Sequence, residues 1–303
     1  MITATNLTKR FGDFYALNNL NCTIPEGCIY GLVGSNGAGK STLLRLITGI
    51  YRADGGAISV DGQDVFDNPP VKSRLVFVPD ELYFLPRASM NRMATLYANV
   101  YPNFSHEKFI KLTKLFSLNP CQNIATFSKG MKRQAATILA LSCNADYILF
   151  DETFDGLDPV MRNLVKTLLY DDVLERRATA VITSHSLREL EDTCDQLALL
   201  HKGGIIFESD IGNLKTSLFK VQVAFGDEYD KTRFEGIRIL SYSKHGSVAS
   251  MIVRGDRDET TAKINAMQPI LFEILPLSLE EVFVFEMDAL GYELSEVLKE
   301  EVN

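Results

Sequence analysis

The run Gly34-Ser35-Asn36-Gly37-Ala38-Gly39-Lys40-Ser41-Thr42 fits the spacing G-x-x-x-x-G-K-[ST], which suits phosphate chemistry. Its glycines let the backbone turn tightly and aim N–H groups at phosphate oxygens, and a helix starting there adds the positive end of its dipole. Lys40 is placed to reach the terminal phosphates of a nucleotide, and Ser41 to ligate Mg2+. A second group is Asp151-Glu152, closing the apolar run Tyr147-Ile148-Leu149-Phe150. Successive strand side chains point to opposite faces, so the two carboxylates take different tasks: one holds Mg2+ through water, the other addresses an attacking water. Ser128-Lys129-Gly130-Met131 opens a helical pattern, and a serine hydroxyl with free backbone N–H groups can hold an anion there. His185 stands just past an apolar strand, at the sheet edge where ligands gather in open parallel sheets.

The elements around these groups follow from periodicity. Ile29-Tyr30-Gly31-Leu32-Val33 reads as a buried strand feeding the phosphate loop, and Leu43-Leu44-Arg45-Leu46-Ile47 as the helix leaving it. Before them, residues 2–8 alternate like an edge strand, residues 9–13 make a turn and residues 20–24 a second strand. Residues 57–60 followed by Asp61-Gly62 predict a hairpin of type I′, and Leu75-Val76-Phe77-Val78 a strand stopped by Pro79. From Ser89 to Leu141 the pattern is helical, with Met90, Met93, Ala94 and Tyr97 on one face and Phe109, Leu112, Leu115 and Phe116 on another. The apolar Leu82-Tyr83-Phe84-Leu85 at its entrance reads equally as core or as a docking surface. Asp155-Gly156-Leu157-Asp158 leads into a helix capped by Asp158 with Pro159 at its first position, and Ser186 with Glu189 predicts a capping box. A hairpin over residues 197–207 closes the core. Beyond residue 209, strands around Val221, Ile239 and Ile252, a helix near Ala262 and another opened by Ser278 with Glu281 predict a small α+β domain.

Composition narrows the function. At 303 residues the chain has room for two domains, and it holds no stretch of the ~18 apolar residues that a membrane span needs. Its start carries neither a basic leader nor an apolar segment, so a cytosolic chain is expected. Five scattered cysteines, Cys22, Cys28, Cys121, Cys143 and Cys194, predict small buried thiols rather than disulfides or a zinc site. A net charge of −8 argues against nucleic acid as a partner.

Together these motifs resemble the ATP-binding subunit of ABC transporters, most closely the bacterial ABC-2 exporter type whose membrane domains are separate polypeptides. The resemblance covers residues 1–208 and implies an α/β P-loop NTPase cassette with a mixed sheet core, a helical subdomain at about 80–142 and the small α+β domain over 209–303. By position, Phe11 is similar to the adenine-stacking aromatic, Gly34 to Thr42 to the Walker A loop and Tyr147 to Asp151 to the Walker B strand. Glu152 then corresponds to the general base, Asp155 to Asp158 to the D-loop, His185 to the switch histidine, and Phe127 to Met131 to the signature that pairs in trans. The chain departs from the family in Phe127, Lys129 and Met131, and in Pro79-Asp80-Glu81 where a glutamine is usual; Asp80, with Glu81 as the alternative, is the candidate third metal ligand. The resemblance implies ATP and Mg2+, a second ABC subunit forming a homodimer or heterodimer, and a separate transmembrane permease. It places the chain on the inner face of the cell membrane, hydrolysing ATP to drive export. The alternative is a non-transport or regulatory ABC ATPase acting on a soluble partner.

Overall fold

A computed structural model describes residues 1–289, with residues 155, 156, 215–217 and 289 described by backbone alone. The described residues form two compact units, one over Met1–Glu208 and one beginning at Ser209.

The first unit opens with β1 (Ile2–Phe11), β2 (Phe14–Ile24) and β3 (Ile29–Val33), then α1 (Lys40–Ile47), β4 (Gly55–Val60) and β5 (Gln63–Asp64). Next come α2 (Pro69–Lys72), β6 (Leu75–Val78), α3 (Met90–Val100), α4 (His106–Leu115), α5 (Lys129–Ser142) and β7 (Tyr147–Asp151). It closes with α6 (Pro159–Arg176), β8 (Thr179–Ser184), α7 (Leu187–Glu191), β9 (Gln196–His201) and β10 (Gly204–Asp210). A six-stranded sheet in the order β10-β9-β3-β8-β7-β6 carries the chemistry. Its β9, β3, β8, β7 and β6 pair in parallel, so their C-terminal ends share one edge. Every residue of β3, β7 and β8 is buried, as expected of parallel strands covered on both faces. That is why they read as unbroken apolar runs.

A second, antiparallel sheet has the order β2-β1-β4-β5. β1 is an inner strand rather than the expected edge, because β4 pairs along its other side with Ile2 opposite Val60. It also runs on through Lys9, Arg10 and Phe11, and the turn narrows to Gly12-Asp13. The type I′ signal is realised: Asp61 and Gly62 sit at φ 51° and 74° between β4 and β5. Leu43, Leu44, Leu46 and Ile47 of α1 join Leu7, Leu20, Ile24 and Tyr147 in a core that packs α1 against both sheets.

In the helical part Ser89, Ser105 and Ser128 cap α3, α4 and α5 by accepting from Arg92, Lys108 and Met131 N–H. Met90, Met93 and Ala94 are buried, as are Phe109, Leu112 and Phe116, but Leu115 is 46% exposed at the last turn of α4. Four cysteines are buried; Cys121, in the loop before α5, is exposed, contrary to the uniform burial expected. The capping box expected at Ser186 and Glu189 does not form. Ser186 stays at the N-cap without a side-chain cap bond, and the Ser184 hydroxyl intervenes, donating to Glu189 Oε2 at 2.9 Å while accepting the Ser186 N–H at 3.0 Å.

The second unit runs α8 (Ile211–Ser217), β11 (Leu218–Ala224), β12 (Ile239–His245), β13 (Val248–Arg254), α9 (Arg257–Ala266), β14 (Leu271–Leu275) and α10 (Leu279–Ala289). Its antiparallel sheet, ordered β12-β13-β11-β14, contains one strand beyond the three read from sequence. Phe219, Val221, Phe234, Met251 and Ile264 form its core. Ser278 and Glu281 do make a reciprocal box at the start of α10, through bonds of 2.9 and 3.2 Å.

Candidate functional site

The phosphate loop bridges β3 and α1 at the shared strand edge. Gly39 caps α1 in a left-handed conformation, φ 111°, and a Cβ there would stand 2.5 Å from the Ala16 carbonyl oxygen. Only glycine fits both demands. Asn36 and Gly37 are exposed at the loop tip, Ala38 is buried, and the Ala38 N–H closes the turn onto Ser35 O at 3.1 Å. Lys40, 4% exposed, donates to Gly34 O at 2.7 Å and Ser35 O at 3.2 Å and pairs with Glu152 Oε1 at 3.2 Å. Ser41 and Thr42 follow on the first turn of α1, half-buried.

Across the sheet, Ser41 Oγ donates to Asp151 Oδ1 at 3.0 Å, joining two residues 110 positions apart. Thr183 Oγ1 donates to the same oxygen at 2.9 Å and accepts the Glu152 N–H at 3.0 Å. Asp151 Oδ2 is buried with no hydrogen-bond partner. Burial holds the Asp151 carboxyl above the usual carboxylate range, offset in part by the Ser41 and Thr183 hydroxyls. A buried carboxylate oxygen with nothing to accept, next to a serine hydroxyl, is the oxygen donor set that Mg2+ takes, so the residues fit that ion. Glu152 leaves the strand in a left-handed conformation, φ 48°, into a short turn over Thr153–Gly156, and this separates its carboxylate from that of Asp151.

Asp80, expected as a metal ligand, is held elsewhere: its carboxylate accepts from Arg133 at 2.7 Å, while Glu81 is exposed. Phe11 is 46% exposed and packs edge-on against Tyr51, with ring centroids 5.5 Å apart. His185 is exposed immediately past β8. Ser128 and Lys129 are exposed at the start of α5, and Gly130 and Met131 are half-buried behind them. Ser128 serves both Met131 N–H and Lys132 N–H, which leaves the Lys129 and Gly130 amides as the outward donors of that helix end. Leu157 is buried and Asp158 caps α6 by accepting from Val160 and Met161; the side chain of Asp155 lies outside the described residues. Two contributors escaped the sequence reading. Thr183 shows itself only through the register that sets it beside Asp151, and Arg133 looks like one more surface charge in Lys132-Arg133-Gln134.

The family profile described as ABC transporter matches residues 17–155. The ABC transporter ATP-binding protein YtrB of Bacillus subtilis is 30% identical over 94% of this chain and 97% of its own length. Relatives differ in direction. The sulfate/thiosulfate import ATP-binding protein CysA of Neisseria meningitidis is 30% identical over 78% of this chain and 68% of its own. The Nod factor export ATP-binding protein I of Burkholderia lata is 28% identical over 92% and 94%. Among solved structures, an ATP-binding subunit of an ABC transporter superposes with a TM-score of 0.66 at 23% identity, over 71% of this chain and 92% of that one.

Proposed function

The chain belongs to the ABC transporter family as an ATP-binding, ATP-hydrolysing subunit, and on that premise we propose that two such subunits close over ATP to drive export through a separate permease. The observation that carries the proposal is the junction of Lys40, Ser41, Asp151 and Glu152 at one sheet edge, taken with an exposed helix start at Ser128 that can accept an anion.

In this reading the phosphate loop and Lys40 hold the β- and γ-phosphates, and Phe11 offers its exposed face to adenine. Ser41 and Asp151 would hold Mg2+, which when bound neutralises charge on the phosphate oxygens. Glu152 orients and deprotonates the attacking water, and His185 donates to the γ-phosphate. Lys40 must leave the Gly34 and Ser35 carbonyls as the triphosphate binds, and its departure from Glu152 frees that carboxylate for water. The Ser128 end of a second subunit covers the γ-phosphate, so the closed pair gains hydrogen bonds that an open pair lacks. Turning a mostly open population into a mostly closed one takes about 5 kcal/mol, within the range of several charge-assisted bonds. Cleavage removes the shared phosphate and the pair separates.

The permease is proposed to dock on a cavity of about 680 Å³ lined by Ile50, Phe77, Pro79, Val100 and Tyr101, close in sequence to the 77% exposed Tyr83. Among the described residues no helix is long and apolar enough to cross a membrane, so attachment to the inner face would run through that partner. Export, rather than import, rests on the resemblance to the separate-permease exporter type.

The test is ATP-dependent association. A Glu152→Gln protein mixed with ATP and Mg2+ is expected to elute as a dimer and Glu152→Gln/Ser128→Ala as a monomer. A Glu152→Gln protein that stays monomeric at saturating ATP and Mg2+ would refute the sandwich. A silent regulatory cassette would bind ATP without steady-state hydrolysis by the unaltered chain.

A further inference from the structure

Arg133 lies 5% exposed on the first turns of α5, where a guanidinium, charged at any pH a protein survives, must find partners for its fork of donors. It finds three. Nη1 donates to Glu152 O at 2.6 Å and Thr153 O at 3.2 Å, and Nη2 donates to Asp80 Oδ1 at 2.7 Å. The two carbonyls belong to the consecutive peptides that follow the Glu152 Cα, so both bonds hold the turn on which the Glu152 side chain is mounted. That residue sits at φ 48°, a conformation disfavoured by about 1–2 kcal/mol for a side chain larger than glycine, so something has to hold it. Asp80 is 49% exposed, on the segment that leaves β6 toward the proposed docking cavity. In the sheet β6 stands three strands from β3, about 14 Å, but directly beside β7, so the residues after β6 lie one strand spacing from the turn that carries Glu152. Arg133 spans the one gap that separates them from Glu152.

We propose that Arg133 is a positioning residue for hydrolysis, fixing the Glu152–Thr153 backbone, and that Asp80 sets where Arg133 stands, so that movement of the segment after β6 reaches the water-activating carboxylate. The proposal rests on Glu152 acting as base.

The experiment compares Arg133→Lys, Asp80→Asn and the double variant in steady-state hydrolysis and in amide hydrogen exchange over residues 150–154. Lysine keeps the charge but loses the planar fork whose two nitrogens reach the carbonyls on one side and Asp80 on the other. Arg133→Lys is expected to lower kcat by about 10²-fold, the scale of a misplaced catalytic group, with KM for ATP changed by less than about twofold. Asp80→Asn is expected to lower kcat less, and the double variant to match Arg133→Lys alone, because the two residues act as one unit. Exchange over residues 150–154 should rise in all three. Asp80 is half-exposed, so its variant carries the test if Arg133→Lys does not fold. Multiplying effects on kcat, or unchanged exchange in Asp80→Asn, would overturn the proposal. So would a raised Mg2+ requirement in Asp80→Asn at unchanged kcat, which would make Asp80 a metal ligand. If Glu152→Gln still turns over, the base assignment fails first. If it is inactive while Arg133→Lys turns over normally, only the present inference fails.

Discussion

Lys40 Nζ stands 3.2 Å from Glu152 Oε1, so the cation that would meet the terminal phosphates and the carboxylate that would meet the attacking water neutralise each other across the sheet edge. Any nucleotide that binds has to exchange this pair for its own contacts.

Glu152→Gln removes one half of the pair without removing Lys40. ATP affinity is expected to hold or tighten, while turnover falls by about 10²–10⁴-fold, the range for loss of a general base. Equilibrium binding and single-turnover hydrolysis separate the two effects, and a variant that keeps its turnover would remove Glu152 from the mechanism.

Asp151→Asn trades function for stability. Burial raises the Asp151 pKa in the folded chain, so the folded state holds the protonated form better than the unfolded state does, and the native protein loses stability as pH climbs through that raised value. The asparagine variant should therefore unfold at a higher temperature at neutral pH, by about 2–4 °C for each kcal/mol gained in a unit this size, and the gain should shrink on acidification. Mg2+-dependent hydrolysis should be lost. A thermal scan at several pH values reads the sign directly.

Gly39→Ala should be far more damaging than Gly37→Ala in the phosphate loop. It adds a Cβ 2.5 Å from a backbone oxygen at φ 111°, and the clash and the conformational strain together cost about 2–4 kcal/mol. Gly37→Ala, at φ 78° with nothing within 4 Å, should cost about 1 kcal/mol. Urea denaturation of the two variants side by side gives the comparison.

Of the five thiols, a soluble aromatic disulfide reagent at neutral pH should consume one rapidly. Cys121 is exposed, whereas burial pushes the Cys22 thiol up to about 12 and that of Cys28 up to about 11 and raises Cys143 and Cys194 as well. Two fast equivalents per chain would contradict this burial pattern.

Val100 and Ile50, 56% and 55% exposed, line the cavity proposed for the permease. Val100→Asp with Ile50→Asp should abolish co-purification with the membrane partner and leave ATPase activity of the isolated chain within about twofold, since surface changes of this kind cost little stability. Intact complexes would move the docking surface elsewhere.

The strand, loop and helix around Lys40 were legible because glycine spacing and unbroken apolar runs are local properties, and the same holds for Tyr147–Asp151. What depends on a partner distant in the chain was not. β1 alternates like an edge strand, yet β4, fifty residues later, makes it an inner one. Thr183 acts through its register against Asp151, and Arg133 through the accident that its helix start faces two carbonyls and Asp80. Local rules failed also where a nearer competitor existed, as when the Ser184 hydroxyl took the Glu189 carboxylate and the Ser186 N–H that a capping box would have joined. Short β14, five residues between turns, carries too little periodicity to be read alone.

The position of β6 at the rim of the parallel sheet bears on how such a chain diversifies. Two strands, β7 and β8, separate it from the phosphate-binding strand, so the surface proposed to meet a membrane partner can be rewritten over many substitutions while the hydrolytic machinery stays as it is, provided the Asp80–Arg133 link is kept. A chimera carrying a relative's residues 82–104, with Asp80 and its bond to Arg133 kept, should accordingly change its load and keep its motor.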